Sequence, residues 1–247
     1  MITFPYLRTK RIAVALRELT LGEAEAVCRI PAERHEAATT ALLRFIASAA
    51  EAPRPGYVTD PRLWTVGERI RVVAHYMMQL SEDGPDFALG AGRLTDYAML
   101  DTDEDVAPVN VGSLDGVPYT FRPMVGALAE VLEQECTTSA QWVIAAVACQ
   151  VLPSGDHDPV WADLSDIQIL EWVRDRVERL KARTESDFEA LLDMHASGMQ
   201  RTTQFFATWF TDGGIVCLPV SEGGAGLYPA RFRAVSCISE ATRQLLR

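Results

Sequence analysis

Several short stretches combine residue types that could do chemistry. "HEAAT" (35–39) opens like the helical motif of a zinc protease, in which two histidines four residues apart share one helix face and the glutamate serves as base. Thr39 stands where the second ligand belongs, so the pair is incomplete and the segment reads as a surface helix. "DTDEDV" (101–106) alternates carboxylates as a calcium loop does. Such a loop needs Gly at its sixth position and Glu at its twelfth, and here these are Val106 and Gly112. "SGDHDPVW" (154–161) is the best metal candidate by type, with Asp156, His157 and Asp158 in a row. Adjacent residues seldom converge on one ion without distant ligands, and the sequence points to none. "SEDGPDFALGAGRLTDY" (81–97) is acidic and glycine-rich, but "GAGRLT" lacks the Gly-Lys-Ser/Thr ending of a phosphate loop. It reads as the stop of a helix. Cys28 or Cys136 with a distant histidine would form a nucleophilic pair, an arrangement that five cysteines and four histidines permit without singling one out. His75, on an apolar helix face, reads as a hydrogen-bonded core histidine. No Gly-x-Ser-x-Gly elbow occurs. The expectation is no catalytic residue, no cofactor-binding residue, no cofactor and no metal.

The bulk properties narrow the classes. The 247 residues are 48% hydrophobic, enough to bury a real core. The net charge of −11 disfavours nucleic acid, whose phosphates demand Lys and Arg. No apolar run reaches the ~18 residues of a membrane span. The first residues lack the basic-then-apolar order of a signal peptide. Five scattered cysteines without a C-x-x-C read as reduced thiols, mostly core fillers, in a protein made in a cytosol.

The elements that must position any site follow from pattern and punctuation. Ile12, Val14 and Leu16 alternate with Arg11, Ala13 and Ala15, which predicts a half-buried strand over 10–17. Thr20 caps a short helix through Glu23 to Cys28, and Pro31 opens a longer one to about Ala50. Asp60 or Thr65 starts the next, with Ile70, Val73, Ala74, Met77 and Met78 on one side; "SEDGPD" ends it. A hairpin turns at Asp115-Gly116. Helices follow over 124–135 and 139–152, the second almost wholly apolar. A Ser165–Gln168 capping box starts a helix over 166–182. Thr184 either restarts it or lies within a helix running to about Trp209. "GIVCLPV" and "ARFRAVSCI" read as two strands around "SEGGAG", before a last helix over 239–247. The fold class expected is α+β, predominantly α-helical, with short strands and hairpins packed on helices. Three segments are expected: an N-terminal strand–helix domain (1–105), a second strand–helix unit (106–163), and a helical arm with C-terminal strands (164–247).

Part of the chain reads as duplicated. "LRELTLGEAEAV" (16–27) lies on "FRPMVGALAEVL" (121–132), and "VVAHYMMQLSEDG" (72–84) resembles "VIAAVACQVLPSG" (143–155). Two matches in the same order favour a repeated strand–helix–helix unit, in which Gly155 is the counterpart of Gly84.

"TKRIAVALRELTLGEAEAVCRIP", a strand followed by L-R-x-L-T-x-G-E-A, is similar to the start of small tailed-bacteriophage tail proteins, including baseplate hub components and tail-assembly proteins. "TVGERIRVVAHYMMQLSEDGPDF" also resembles phage virion proteins. The resemblance is confined to about the first 100 residues and rests on loosely specific motifs. It implies a non-enzymatic structural or assembly component of a tail or baseplate, made in the host cytoplasm and held in the virion by contacts with other tail proteins. It implies an oligomer in the assembly, with no nucleic-acid or membrane partner. A tail-assembly chaperone absent from the virion, or an enzyme with a distributed site, are the alternatives. The apolar stripe over 166–209 (Leu170, Val173, Val177, Leu180, Phe188, Leu191, Leu192, Met199) is narrow and flanked by charge, as a seam between helices is. It ends in "QFFATWF" (204–210). Phe205, Phe206, Trp209 and Phe210 are therefore the interface candidates, since desolvated interface centres favour aromatic anchors; sealing the protein's own core is the competing role.

Overall fold

The computed structural model describes residues 4–49, 57–82, 84–99, 107–156, 159–202, 205–220 and 226–246. It is α+β and predominantly helical, with small antiparallel sheets. The first strands, β1 (Leu7–Arg8) and β2 (Ala13–Leu16), pair antiparallel, and Ile12, Val14 and Leu16 are buried as their alternation predicts. Thr20 caps α1 (Leu21–Cys28) in a reciprocal box with Glu23. Next comes α2 (His35–Ile46), which runs straight into β3 (Ala47–Ala49); β3 pairs with β2 in a sheet of order β1-β2-β3. The helix expected from Pro31 thus starts at His35 and gives its last residues to a strand. Asp60 caps a 3-10 turn (Pro61–Leu63), and Thr65, boxed with Glu68, caps α3 (Val66–Leu80). Both candidate starts are therefore caps, of successive elements. Past Ser81, Gly84 takes a φ of +80°, as a helix stop requires. The glycine-rich stretch forms a small hairpin, β4 (Ala88–Leu89) with β5 (Gly92–Arg93).

A second unit repeats the first. Strands β6 (Val109–Leu114) and β7 (Val117–Phe121) flank a two-residue turn in which Asp115 and Gly116 have φ of 53° and 77°. Helices α4 (Gly126–Glu135) and α5 (Ser139–Gln150) follow, and α5 runs into β8 (Val151–Pro153), which pairs with β7. The sheet order is β6-β7-β8, matching β1-β2-β3. Equivalent backbone bonds close both units: Arg17 N–H donates to Ile46 O at 3.0 Å, and Arg122 N–H to Gln150 O at 2.9 Å. The match of 16–27 with 121–132 thus lies on equivalent elements. The second match does not. The counterpart of α5 is α2, because both precede the third strand of their sheet; α3 comes after it. Gly155 (φ 102°) therefore sits in the turn after β8, not at the stop of a helix equivalent to α3.

In both units a 3-10 turn and a capped helix follow. For the second unit these are Trp161–Asp163 and α6 (Asp166–Lys181), with the Ser165–Gln168 box in place. Thr184 does start a new helix, α7 (Glu185–Arg201). It ends well before Trp209, and the aromatic segment is extended, entering β9 (Thr208–Thr211), which pairs with β10 (Gly214–Cys217). "ARFRAVSCI" is not a strand: Ala230 makes a single bridge to Cys217, and Ala234–Cys237 is a 3-10 turn. The chain closes with α8 (Glu240–Leu245). None of the described helices is long and apolar enough to cross a membrane.

Two apolar cores result. The first packs β2, α1, α2 and α3 with Phe206, Phe232 and Ile238 from the C-terminal segment. The second packs β7, α4 and α5 under α6 and α7, with Phe210 and Ile215. Gly198 lets α7 lie directly on the second sheet, since a Cβ there would fall 2.1 Å from the Phe121 ring. Val147, 1% exposed on α5, packs in the second core and borders a cavity that Arg176, Arg179 and Arg183 also line. Val147→Asp is expected to cost several kcal/mol, because a carboxylate would replace an apolar side chain packed in the second core. Urea denaturation measures it, and a midpoint equal to the parent's would show that this face of α5 is not a core.

Candidate functional site

Where the two units meet, charged and hydroxyl side chains are buried together. The joint begins with an isolated antiparallel bridge between Thr65 and Val125: Val66 N–H donates to Met124 O, and Gly126 N–H donates to Trp64 O, both at 2.9 Å. One turn into α3, Arg69 is 1% exposed. Its Nη2 donates to Glu36 O at 2.6 Å and to Thr40 Oγ1 at 2.9 Å, and its Nη1 lies 3.0 Å from Glu36 Oε2. The Arg69 side chain lies against Gly126, where a Cβ would fall 2.4 Å from Nη1.

The network continues into α4. Thr40 Oγ1 donates to Glu130, whose other oxygen accepts from Arg62 Nε at 3.0 Å; Arg62 also pairs with Asp166 at the start of α6. Helix α2 has no capping side chain of its own, since Arg34 stands at its N-cap. Glu133 supplies the cap from the other unit, accepting the Glu36 N–H at 2.9 and 3.0 Å. Burial pushes the Glu133 carboxyl up to about 7 against the pull of these N–H groups, and the neighbouring Glu36 carboxyl pushes the same way. Burial also raises Glu36, opposed by Arg69.

Raised carboxyls beside arginines are the groups that general acid catalysis uses. The space beside them decides against that use. The cavity lined by Glu36, Thr39, Arg69 and Arg231 is about 20 Å³, room for about one water. The cluster ties α2, α3 and α4 across the joint between the two units.

The residues singled out from sequence are placed as follows. His35 and Thr39 lie on α2 with Glu36, and burial lowers His35 to about 4; Thr39 Oγ1 donates to His35 O at 2.8 Å. The acidic segment 101–105 lies outside the described residues, as do His157 and Asp158, while Asp156 is ion-paired with Arg176. Among the described residues no three His, Cys, Asp or Glu are grouped to hold a metal. His75 is half-buried, its Nε2 2.8 Å from Pro5 O. Cys136 is buried and its thiol is pushed up to about 11, so it is not a ready thiolate; Cys28 is half-buried against the first core.

The aromatic segment is spent inside the molecule. Phe206 (3% exposed) packs on Phe232 in the first core, and Phe210 (6%) stacks on Trp142 in the second. Phe205 and Trp209 are half-buried; Arg71 sits over the Phe205 ring at 5.3 Å, and Trp209 packs on His195. The narrow stripe of 166–199 likewise serves internal seams, α6 against α4 and α5, and α7 against the second sheet.

Of the joint's charged residues only Glu36 lay in a stretch weighed from sequence, as the glutamate of "HEAAT"; Arg62, Arg69, Glu130 and Glu133 were not among the sequence candidates. Arg69 could have been found: it stands with Val72, Val73 and Tyr76 at i, i+3, i+4 and i+7, a charge on an apolar stripe. His195 is a second buried polar group, 0% exposed, with Nε2 3.1 Å from Gln150 Oε1; burial lowers it to about 4 and keeps it neutral. The chain matches no protein-family model, no curated protein and no solved structure.

Two outcomes follow from the joint. Arg69→Met leaves Glu36 buried without its cation and is expected to cost about 3–5 kcal/mol. Adding Glu36→Gln should recover part of that loss, and a urea-denaturation double-mutant cycle reads the coupling; additive costs would show that the pair is not coupled. The second concerns pH. Glu133 titrates at about 7 in the fold against 4.5 for an ordinary carboxyl. Its contribution is therefore whole below 4.5 and lost as pH rises through about 7. His195 runs the other way, its contribution present above 6.5 and lost as pH falls through about 4. Glu133→Gln removes only the first trend. The melting temperature of the variant minus that of the parent should therefore rise between about pH 5 and about pH 8. A difference that stays constant would show that Glu133 does not titrate in this window.

Proposed function

We propose that this protein is a non-enzymatic structural or assembly component of a bacteriophage tail or baseplate, acting through contacts with other proteins. The observation that carries the reading is an open groove of about 630 Å³ bordered by α1, the end of α3, β4 and the start of α8. Its wall is mainly apolar, with Leu19, Met77, Leu80 and Phe87 among the lining residues, and Leu21 stands at its border 61% exposed. A monomer gains nothing by leaving so large an apolar side chain in water beside a groove, whereas a polypeptide partner would cover it.

The groove is built largely from the two segments that resemble phage tail proteins, residues 9–31 and 65–87, so the resemblance and the exposed surface coincide. The buried carboxyls and arginines, in contrast, are committed to the joint between units. Mass spectrometry of purified particles tests the reading. Recovery of the chain at a fixed ratio to other tail proteins is the expected result. Presence in infected cells with absence from particles would overturn virion membership and favour the tail-assembly chaperone.

A further inference from the structure

The joint between the two units is made by two corners, and each has a counterpart elsewhere in the chain. One corner is the strand-to-helix turn Met124–Val125–Gly126, where β7 leads into α4. Its counterpart in the first unit is Leu19–Thr20–Leu21, where β2 leads into α1, since Leu21 and Gly126 are both first residues of their helices. The other corner is Trp64–Thr65–Val66, between a 3-10 turn and the boxed start of α3. Its counterpart is Leu164–Ser165–Asp166, between a 3-10 turn and the boxed start of α6.

Inside the chain the two corners have closed on each other. Thr65 and Val66 are 2% and 7% exposed, Met124 is 6% exposed, and the space left over is a cavity of about 50 Å³ lined by Thr65, Val66, Pro123 and Met124 among others. The counterparts have not. Glu18 and Leu19, which correspond to Pro123 and Met124, border the open groove of about 630 Å³. Thr20 and Leu21 are exposed, and so are Ser165, Asp166 and Ile167, the last by 69%; Val160 just before this corner is 65% exposed. The backbone groups that would form the equivalent bridge, Leu19 O with Asp166 N–H and Leu164 O with Leu21 N–H, make no hydrogen bond among the described residues.

We infer that a second copy of this chain docks head to tail, its Leu164–Ile167 corner entering the groove beside Leu19–Leu21 as Trp64–Gly67 enters beside Met124–Gly126 within one chain. The two pairing corners of one chain are different surfaces, so the contact is heterologous and each copy keeps one of each free; repetition gives a ring or an open filament. The contact would bury Leu21, Ile167 and Val160 and satisfy two backbone donors at helix starts that are otherwise left to water. This inference shares the groove with the virion reading but takes its occupant from the internal joint; self-association tests it, and recovery from particles tests the other, so the two failures are distinguishable.

Sedimentation equilibrium of the purified full-length chain tests it. The weight-average mass should rise with concentration beyond that of a dimer. Leu21→Asp removes the groove side and Ile167→Asp the corner side; both positions are exposed, so circular dichroism and melting should match the parent. Each variant alone should stay monomeric. An equimolar mixture should stop at the dimer, because Leu21→Asp still offers an intact corner and Ile167→Asp an intact groove. If either aspartate variant is unfolded, Leu21→Ser and Ile167→Ser carry the same test. A parent that stays monomeric at every concentration, single variants that associate as it does, or a mixture that remains monomeric would each overturn the proposal.

Discussion

A guanidinium taken out of water needs a counter-charge and hydrogen-bond acceptors within reach. Arg69, at 1% exposure, sets that requirement for this protein. Its acceptors come from α2, at Glu36 and Thr40, while the close approach that its side chain needs comes from α4, at Gly126. One side chain on α3 thus fixes elements of both units at once. Apolar packing in the two cores supplies the bulk of the burial but is tolerant of small rotations. A guanidinium whose Nη2 is hydrogen-bonded to Glu36 O and Thr40 Oγ1 and whose Nη1 is ion-paired with Glu36 is not. The division of labour is physical: the cores hold each unit together, and the buried charges set how one sits on the other. Glu133 adds a second directional tie, because an α2 that begins at Arg34 without a cap of its own is completed only when the second unit is in place.

The two units share a frame and differ in what the frame carries. Both are a hairpin, two helices and a returning strand, with the same sheet order and equivalent closing hydrogen bonds. Divergence falls on the faces that meet other elements. Ile169 stands in α6 where Arg69 stands in α3, and it is buried against its own unit, as α6 lies on α4 and α5. The second sheet is covered by α7, which approaches closely at Gly198 and brings His195 down to Gln150 beside the Phe121 ring. The C-terminal segment returns to the first core through Phe206 and Phe232.

Short-range signals in the sequence were readable because their physics is local. The reciprocal boxes at Thr20–Glu23, Thr65–Glu68 and Ser165–Gln168 need only four residues, and so does the Asp115-Gly116 turn. Strands β3 and β8 were not readable. Each is three residues long, follows a helix without a breaker, and exists only because a strand more than 25 residues earlier offers its edge. That hidden return strand also explains the misplaced half of the duplication. Helices α3 and α5 look alike as apolar runs with a glutamine near the end, whereas the true counterpart of α5 is α2, whose sequence is more polar because Glu36 and Thr40 serve the joint. The aromatic run 205–210 was recognisable as an anchor, but the choice between an interface and the protein's own core was not readable, since its partners Trp142 and Phe232 come from distant parts of the chain.

The internal joint and the contact between copies use equivalent corners, yet they cannot be equally strong. Inside the chain the bridge is reinforced by Arg69 on Gly126, by the Glu36 pair and by the cap from Glu133. Between copies none of these has a counterpart. Ile169 is already consumed in its own core, Leu21 replaces the glycine on which a guanidinium could lie, and α5 carries its own cap at Thr138. What remains is two backbone hydrogen bonds and the covering of a few exposed aliphatic side chains. The net gain from each hydrogen bond is about 1 kcal/mol, and the aliphatic burial must first offset the freedom lost on association. The contact is therefore reversible and concentration-dependent, while the internal joint is permanent. The carboxyls that burial raises at the joint, Glu36 and Glu133, are enclosed within the chain, so their ionisation acts on the chain's own architecture.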